Sequence, residues 1–244
     1  MNDAELARQI AEHAGRLLVD LRQAGLLTGK ALGELGDELA NRFILQALRT
    51  HRPEDAILSE EEADGAARLS ARRVWIIDPL DGTREYGEGR ADWAVHVALA
   101  IDGVATIGAV ALPGLPLTLG SDETLARPRH NGKLRIVVSR TRPAAEALSV
   151  AEALGAELVP MGSAGAKIMA VVRGEADIYL HSGGQYEWDS CAPVAVARAA
   201  GLHVSRLDGA PLRYNQPNSY MPDLLVCPTE LSGRVIELAA RNSA

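Results

Sequence analysis

The chain has 244 residues, 47% of them apolar, enough to bury a substantial core in one large domain or two small ones. Its net charge of -7 and pI near 5.4 exclude a general nucleic-acid surface, which needs clustered Lys and Arg, so an anionic ligand would need help from a metal. No stretch approaches the roughly 18 uninterrupted apolar residues of a helical membrane span, and there is no internal repeat.

Cys191 and Cys227 lack metal-type spacing and are too few for a disulfide framework, which fits a reducing compartment. The acidic start Met1-Asn2-Asp3-Ala4-Glu5 has no basic or apolar leader region, and a cytoplasmic protein is the expectation.

Leu6, Ile10, Ala14, Leu17, Leu18 and Leu21 recur at helical spacing and predict a packing helix over residues 3–27. The glycine-punctuated stretch 28–36 reads as a loop that carries Asp37 to the N-terminal cap of a second helix, 37–48, with Leu39, Phe43, Ile44 and Leu48 inward. Val74-Trp75-Ile76-Ile77 reads as a buried strand. Residues 93–101 and 104–112 are apolar runs joined by Asp102-Gly103, a pair suited to a two-residue hairpin, and predict an antiparallel sheet. From residue 134 the pattern alternates. Strands are predicted at 134–138, 158–161, 176–180, 202–204 and 224–227, and helices at 143–154, 164–172, 189–200 and from Thr229. The polar connector 121–133, with Pro128 and Asn131-Gly132, is the expected boundary between an N-terminal α+β half, 1–133, and a C-terminal α/β half, 134–244. A site shared by both halves would lie between them.

The predicted strand at Val74–Ile77 ends abruptly in Asp78-Pro79-Leu80-Asp81-Gly82-Thr83, and Glu60 precedes it in Leu58-Ser59-Glu60-Glu61. Asp, Pro and Gly are common turn formers, and Glu60 to Glu62 with Asp64 could be a solvated acidic loop. Acids delivered to the end of a core strand point instead to a site. Asp78 and Asp81 bracket Pro79-Leu80, so one turn can aim both carboxylates at a point while the Leu80 carbonyl serves as a further oxygen ligand. Oxygen-only donors suit a hard cation such as Mg²⁺, which commonly shares a few carboxylates with a substrate phosphate. Gly82-Thr83 would open a short helix whose N–H groups suit that phosphate, and Thr83 could hold an attacking water. Hydrolysis of a phosphomonoester is the implied reaction. The haloacid-dehalogenase phosphatases use a similar acidic signature, but here two residues, not one, separate the acids.

Leu58-Ser59-Glu60-Glu61, Trp75-Ile76-Ile77-Asp78-Pro79-Leu80-Asp81-Gly82-Thr83 and Glu187-Trp188-Asp189-Ser190-Cys191-Ala192-Pro193 together resemble the inositol monophosphatase superfamily. The resemblance implies a layered αβαβα sandwich and a lithium-sensitive phosphatase using two or three Mg²⁺ ions. It also implies a homodimer acting on a small phosphorylated metabolite. It maps metal ligation onto Glu60, Asp78, the Leu80 carbonyl, Asp81 and Asp189. Gly82 and Thr83 would contact phosphate, Asp37 and Thr83 would orient or deprotonate the water, and Glu61 would support the ligands from outside. One ion on Glu60, Asp78 and Leu80 would activate the water, and one on Asp78, Asp81 and Asp189 would stabilise the leaving oxygen. Asp189 also fits the N-terminal cap of the helix that follows it.

Ser139-Arg140-Thr141, Gly162-Ser163-Ala164-Gly165-Ala166-Lys167 and Leu212-Arg213-Tyr214-Asn215 are similar to segments of the CysQ-type branch, which removes the 3′-phosphate of 3′-phosphoadenosine 5′-phosphate in sulfate assimilation. That likeness implies that nucleotide as substrate, with 3′-phosphoadenylyl sulfate as a related one. Ser139, Arg140 and Lys167 then join Leu80, Asp81, Gly82, Thr83 and Asp189 in holding substrate. The segment Glu34-Leu35-Gly36 departs from the Ser/Thr-rich stretch usual before Asp37, which touches the third metal and the water shell. The alternatives are an inositol monophosphatase or fructose-1,6-bisphosphatase, and a non-catalytic sensor of a phosphorylated metabolite.

Overall fold

The protein is described from a computed structural model covering residues 1–63, 65–124 and 132–241. Asp64, and Pro128 and Asn131 of the expected boundary, lie outside the described residues.

Helix α1 (Asp3–Gln23) is capped by Asn2, whose side chain accepts from the Glu5 amide at 2.8 Å, satisfying one free N–H of the first turn. Helix α2 (Gly29–His51) corrects one expectation: residues 28–36 are not a loop, and Asp37 is no cap but lies inside the helix, buried. The glycines that read as breaks are a packing surface. A Cβ on Gly33 would stand 2.8 Å from the Thr83 methyl, and one on Gly36 would stand 3.0 Å from the Tyr86 ring. The stripe that α2 buries therefore runs through Gly33, Gly36, Asp37, Ala40 and Ile44, and Leu39, expected inward, is exposed.

The first sheet contains β1 (Ala56–Ser59), β2 (Arg73–Asp81), β3 (Ala94–Ile101), β4 (Val104–Leu112) and β5 (Leu117–Gly120), paired in that order. The predicted β3–β4 hairpin forms, with Asp102 and Gly103 at φ 51° and 74°, the left-handed conformations that a two-residue turn requires. The sheet is mixed, because β1 pairs parallel with β2. Helix α3 (Thr83–Gly87) follows β2 directly.

The second half contains β6 (Arg135–Ser139), α4 (Ala145–Leu154), β7 (Glu157–Met161), α5 (Ala164–Val172), β8 (Ile178–Tyr186), α6 (Glu187–Ala199), β9 (His203–Ser205), β10 (Tyr220–Cys227) and α7 (Thr229–Ala240). Its sheet runs β7-β6-β8-β10-β9, with β6 parallel to both neighbours and β10 antiparallel to both of its own.

Strand alternation sorts the side chains into layers. Trp75, Ile77, Val95 and Val97 pack under α1 and α2, whereas Val74, Ile76, Ala94 and Ala98 face the opposite way onto α5 and α6. The same central helices take Val137, Tyr179, Leu224 and Val226 from one face of the second sheet, and Ile136, Ile178, Leu180 and Leu225 on its other face pack against α4 and α7. The order is helices, sheet, helices, sheet, helices. α5 and α6 thus join both sheets through one core, and their N-terminal ends face the end of β2.

Candidate metal centre

Strand β2 does not stop at Ile77; it runs to Asp81, with a register shift against β3 between Asp78 and Asp81. Pro79 has no N–H to give a ladder, and the irregularity accommodates it. The bulge turns Asp78 and Asp81 out of simple alternation, and both are buried. The Asp78 carboxylate accepts from the Leu80 amide at 3.1 Å, which fixes its rotamer. The Leu80 carbonyl accepts the Thr83 hydroxyl at 3.1 Å, leaving its second lone pair for a ligand.

Next to it, β1 ends at Ser59, whose hydroxyl donates to Asn41 of α2 at 2.8 Å, and Glu60 follows with its amide on the Ile77 carbonyl at 3.3 Å. Asp37 comes from α2, and the Thr83 hydroxyl lies 3.1 Å from its Oδ2. The other Asp37 oxygen, Oδ1, is buried without a partner. Gly82 sits at φ 90°, and a Cβ there would lie 3.1 Å from that of Ser163, so the turn requires glycine for both conformation and space.

Asp189 enters from α6 as its third residue, not as the expected cap. The cap position belongs to Tyr186, and Asp189 reaches back to accept the Tyr186 amide at 2.6 Å, the reciprocal half of a capping box.

Charge crowding ties these acids together. Burial, then the neighbouring Glu61, raises the Asp37 carboxyl to about 7. Burial raises Asp78 well above the usual carboxylate range, and Glu60, Asp81, Asp189 and Asp37 all add to the effect. Glu60 is exposed by area, yet desolvation and the charges of Asp37, Asp189, Glu61 and Asp81 hold it up to about 8. Asp189 stands at about 7, raised by burial and Asp81. Burial and every charged neighbour named for Glu60 and Asp78 push the same way, so a cation among these oxygens would relieve them. The donor set is carboxylate and carbonyl oxygen, with one orphaned buried oxygen on Asp37, and it fits Mg²⁺.

Asp81 behaves differently. Burial would raise it, but His96 and the hydrogen bonds it accepts outweigh that and hold it below its usual value. Its Oδ2 takes the Ser163 hydroxyl and the Gly165 amide, both at 2.6 Å, and its Oδ1 takes the Ala164 amide at 3.1 Å. His96 Nε2 lies 3.2 Å from the same Oδ2, at ion-pair distance but without hydrogen-bond alignment. Among the described residues, Asp78, Asp81 and His96 form a group whose ligand atoms all lie within 4.8 Å of one another, and sequence reasoning missed the histidine. Its strand was legible, but its position opposite Asp78 in the β2–β3 register was not.

The residues expected to hold a second phosphate are already engaged. Arg140 bonds Glu85 and Glu88 at 2.7 Å each, Lys167 is buried against the Gly162 carbonyl and the Tyr179 ring, and the Ser139 hydroxyl accepts the Arg142 amide at 3.2 Å. Beside Asp189, the Tyr186 and Trp188 rings stack at 4.9 Å, and Tyr220 meets Tyr186 edge-on at 5.9 Å. Tyr186 is 43% exposed and Tyr220 40%, an accessible aromatic wall next to a charged recess.

A sequence model described as the inositol monophosphatase family matches residues 29–158 and 135–243. A Mycobacterium leprae protein named 3′-phosphoadenosine 5′-phosphate phosphatase is 49% identical over 95% of this chain and 91% of its own length. The Escherichia coli 3′(2′),5′-bisphosphate nucleotidase CysQ is 31% identical over 76% of this chain and 80% of its own. Among solved structures, inositol monophosphatase from Anabaena superposes with a TM-score of 0.81 at 21% identity, covering 98% of this chain and 95% of that one. CysQ from Bacteroides thetaiotaomicron gives a TM-score of 0.81 at 25% identity, covering 93% and 97%.

Proposed function

Because this chain belongs to the inositol monophosphatase family, we propose that it is a Mg²⁺-dependent phosphatase that removes the 3′-phosphate of 3′-phosphoadenosine 5′-phosphate. The carrying observation is the crowding of Glu60, Asp78, Asp81 and Asp189 around one recess, where Asp81 and Asp189 raise the carboxyls of both Glu60 and Asp78, in a chain 49% identical to a phosphatase of that name. Bound Mg²⁺ supplies Lewis acidity at phosphate oxygens and lowers the pKa of water, to about 7 in favourable sites. Glu60, Asp78, the Leu80 carbonyl, Asp81 and Asp189 would hold two or three such ions.

The chain's own groups do the rest. The Thr83 hydroxyl has one hydrogen for two acceptors, Asp37 and the Leu80 carbonyl, so its oxygen is oriented to receive a water. Asp37, with Oδ1 free, is placed to take the proton from that water. The Gly82 and Thr83 backbone holds the phosphate, and Asp81 and Asp189 hold the leaving side. The aromatic wall of Tyr186, Trp188 and Tyr220 supplies a surface on which a nucleobase stacks, which inositol lacks. Ser139 and Lys167 line the second-phosphate region, and Arg140 reaches it by exchanging its contact with the exposed Glu88. Arg142, exposed with its guanidinium beside Gly184, adds a further cation.

The division into a metal-holding half, 1–133, and a substrate-holding half, 134–244, belongs to this reading. So do inhibition by Li⁺, a homodimer, a cytoplasmic role in sulfate assimilation, and 3′-phosphoadenylyl sulfate as a second substrate. No helix among the described residues is long and apolar enough to cross a membrane. Phosphate release from 3′-phosphoadenosine 5′-phosphate, inositol 1-phosphate and fructose 1,6-bisphosphate, each with Mg²⁺ and with or without Li⁺, tests the proposal. The highest kcat/KM is expected for the nucleotide. Preference for either sugar phosphate would replace the substrate, and binding without turnover would make the chain a sensor.

A further inference from the structure

His96 lies at the meeting point of three elements and is fully buried. It stands on β3 directly opposite Asp78. Its Nδ1 is 3.0 Å from the carbonyl of Trp188, the residue before Asp189 in α6. A carbonyl can only accept, so Nδ1 donates. Its Nε2 faces Asp81 Oδ2 at 3.2 Å. From α5, Gly165 closes the third side so tightly that a Cβ there would come within 2.0 Å of Nε2, so glycine is the residue that leaves room for the ring.

A buried imidazole is costly in a core unless its nitrogens are used, and an aliphatic side chain would fill the volume at lower cost. Both nitrogens of this ring face groups that belong to proposed cation ligands. One hydrogen-bonds the backbone that delivers Asp189, and the other lies 3.2 Å from the Asp81 carboxylate without hydrogen-bond alignment.

We infer that His96 is a positioning residue for cation binding: it fixes the spacing between Asp81 on β2 and Asp189 on α6, which no backbone hydrogen bond of either sheet sets. The inference rests on the reading that these two acids share a divalent ion. Ser163 and the Ala164 and Gly165 amides hold Asp81 from α5, and among the described residues His96 contacts both the Asp81 carboxylate and the peptide leading into Asp189. Partners that orient metal ligands from outside are typically worth about 10–100-fold in metal affinity.

The test is Mg²⁺ titration of the substrate-free protein by calorimetry, on wild type, His96→Leu, His96→Asn and His96→Gln. His96→Leu fills the space without either contact, and its Mg²⁺ affinity should fall about 10–100-fold. His96→Gln can still reach Asp81 and His96→Asn keeps a donor for the Trp188 carbonyl, but each retains only one of the two contacts, so both should bind Mg²⁺ more weakly than wild type. In turnover assays, the Mg²⁺ concentration for half-maximal rate should rise in the weak variants. If His96→Leu fails to fold, His96→Asn and His96→Gln, each against wild type, decide. Wild-type Mg²⁺ affinity in either of those two, or in a folded His96→Leu, would reduce the residue to packing and overturn the inference. Because calorimetry needs no substrate, it stands apart from the phosphatase reading: a wild type that hydrolyses nothing yet binds Mg²⁺ in a His96-dependent way would sink only that reading.

Discussion

Asp37→Asn should make the metal-free protein more stable while it removes activity, and the gain should depend on pH. The Asp37 carboxyl is raised from 3.8 to about 7, chiefly by burial in α2 and then by Glu61. An acid whose pKa is higher in the folded state contributes stability below its unfolded value, and that contribution is lost as pH rises through the folded value. Here the loss accumulates between about pH 4 and pH 7 and is constant above. A shift of about 3 units corresponds to about 4 kcal/mol when fully expressed, at 1.36 kcal/mol per unit. Asn carries no charge to desolvate and still offers an oxygen to the Thr83 hydroxyl, which sits 3.1 Å away. For a chain of this size each kcal/mol moves the unfolding midpoint by about 2–4 °C. With EDTA, the variant should therefore unfold about 8 °C or more above wild type at pH 8, and within about 2 °C of it at pH 4. Turnover with Mg²⁺ should drop by about 10²–10⁴, the usual contribution of a group that moves a proton. Equal midpoint differences at pH 4 and pH 8, or a variant that retains turnover, would refute the reasoning.

Metal-free wild type should lose stability from about pH 4 to pH 8, because Asp37, Glu60 and Asp189 stand near 7, 8 and 7, and added Mg²⁺ should raise its unfolding midpoint most at the alkaline end. Scanning calorimetry with EDTA or Mg²⁺ checks both slopes. Asp81→Asn should abolish measurable phosphate release and also cost about 1–3 kcal/mol, because the new amide would point a buried donor at one of the donors that now serve Asp81, the Ser163 hydroxyl and the Ala164 and Gly165 amides. Chemical denaturation reads the second effect, and a variant as stable as wild type would contradict the bonding described. Tyr186→Ala should raise the KM for the nucleotide by about 5–10-fold, as expected for a lost stacking contact of about 1–1.5 kcal/mol, with little change for inositol 1-phosphate. Steady-state kinetics on both substrates would show whether the aromatic wall acts on the base.

Where residues close in sequence build the site, the chain announces it. A buried strand running into Asp78-Pro79-Leu80-Asp81-Gly82-Thr83 brings two carboxylates to the edge of a core, and in place of the expected turn after Ile77 the strand runs on to Asp81 through an irregularity around Pro79. The layered order was legible for the same reason, since period-two and period-3.6 patterns survive in β2, β3, α5 and α6. Gly33 and Gly36 misled because glycine marks both breaks and close approach, and only the position of Thr83 and Tyr86 tells which. Asp37 was therefore given the right neighbour and the wrong helix position. Asp189 was off by its place in the turn, third rather than cap, because Tyr186 is an uncommon capping residue. His96 could not be found at all, because its meaning lies in the pairing register with Asp78 and in the approach of Gly165 and Trp188, contacts that no local pattern encodes. The commitments of Arg140 and Lys167 are likewise long-range, made by Glu85 and Glu88 and by the Tyr179 ring.

The most direct measurement of the central claim is anomalous diffraction from crystals soaked in Mn²⁺, a stand-in for Mg²⁺ that scatters strongly enough to be located. The account predicts peaks bounded by Glu60, Asp78, the Leu80 carbonyl, Asp81 and Asp189, with Asp78 shared between two of them. A map with no peak among those oxygens, or with manganese bound only elsewhere, would contradict it.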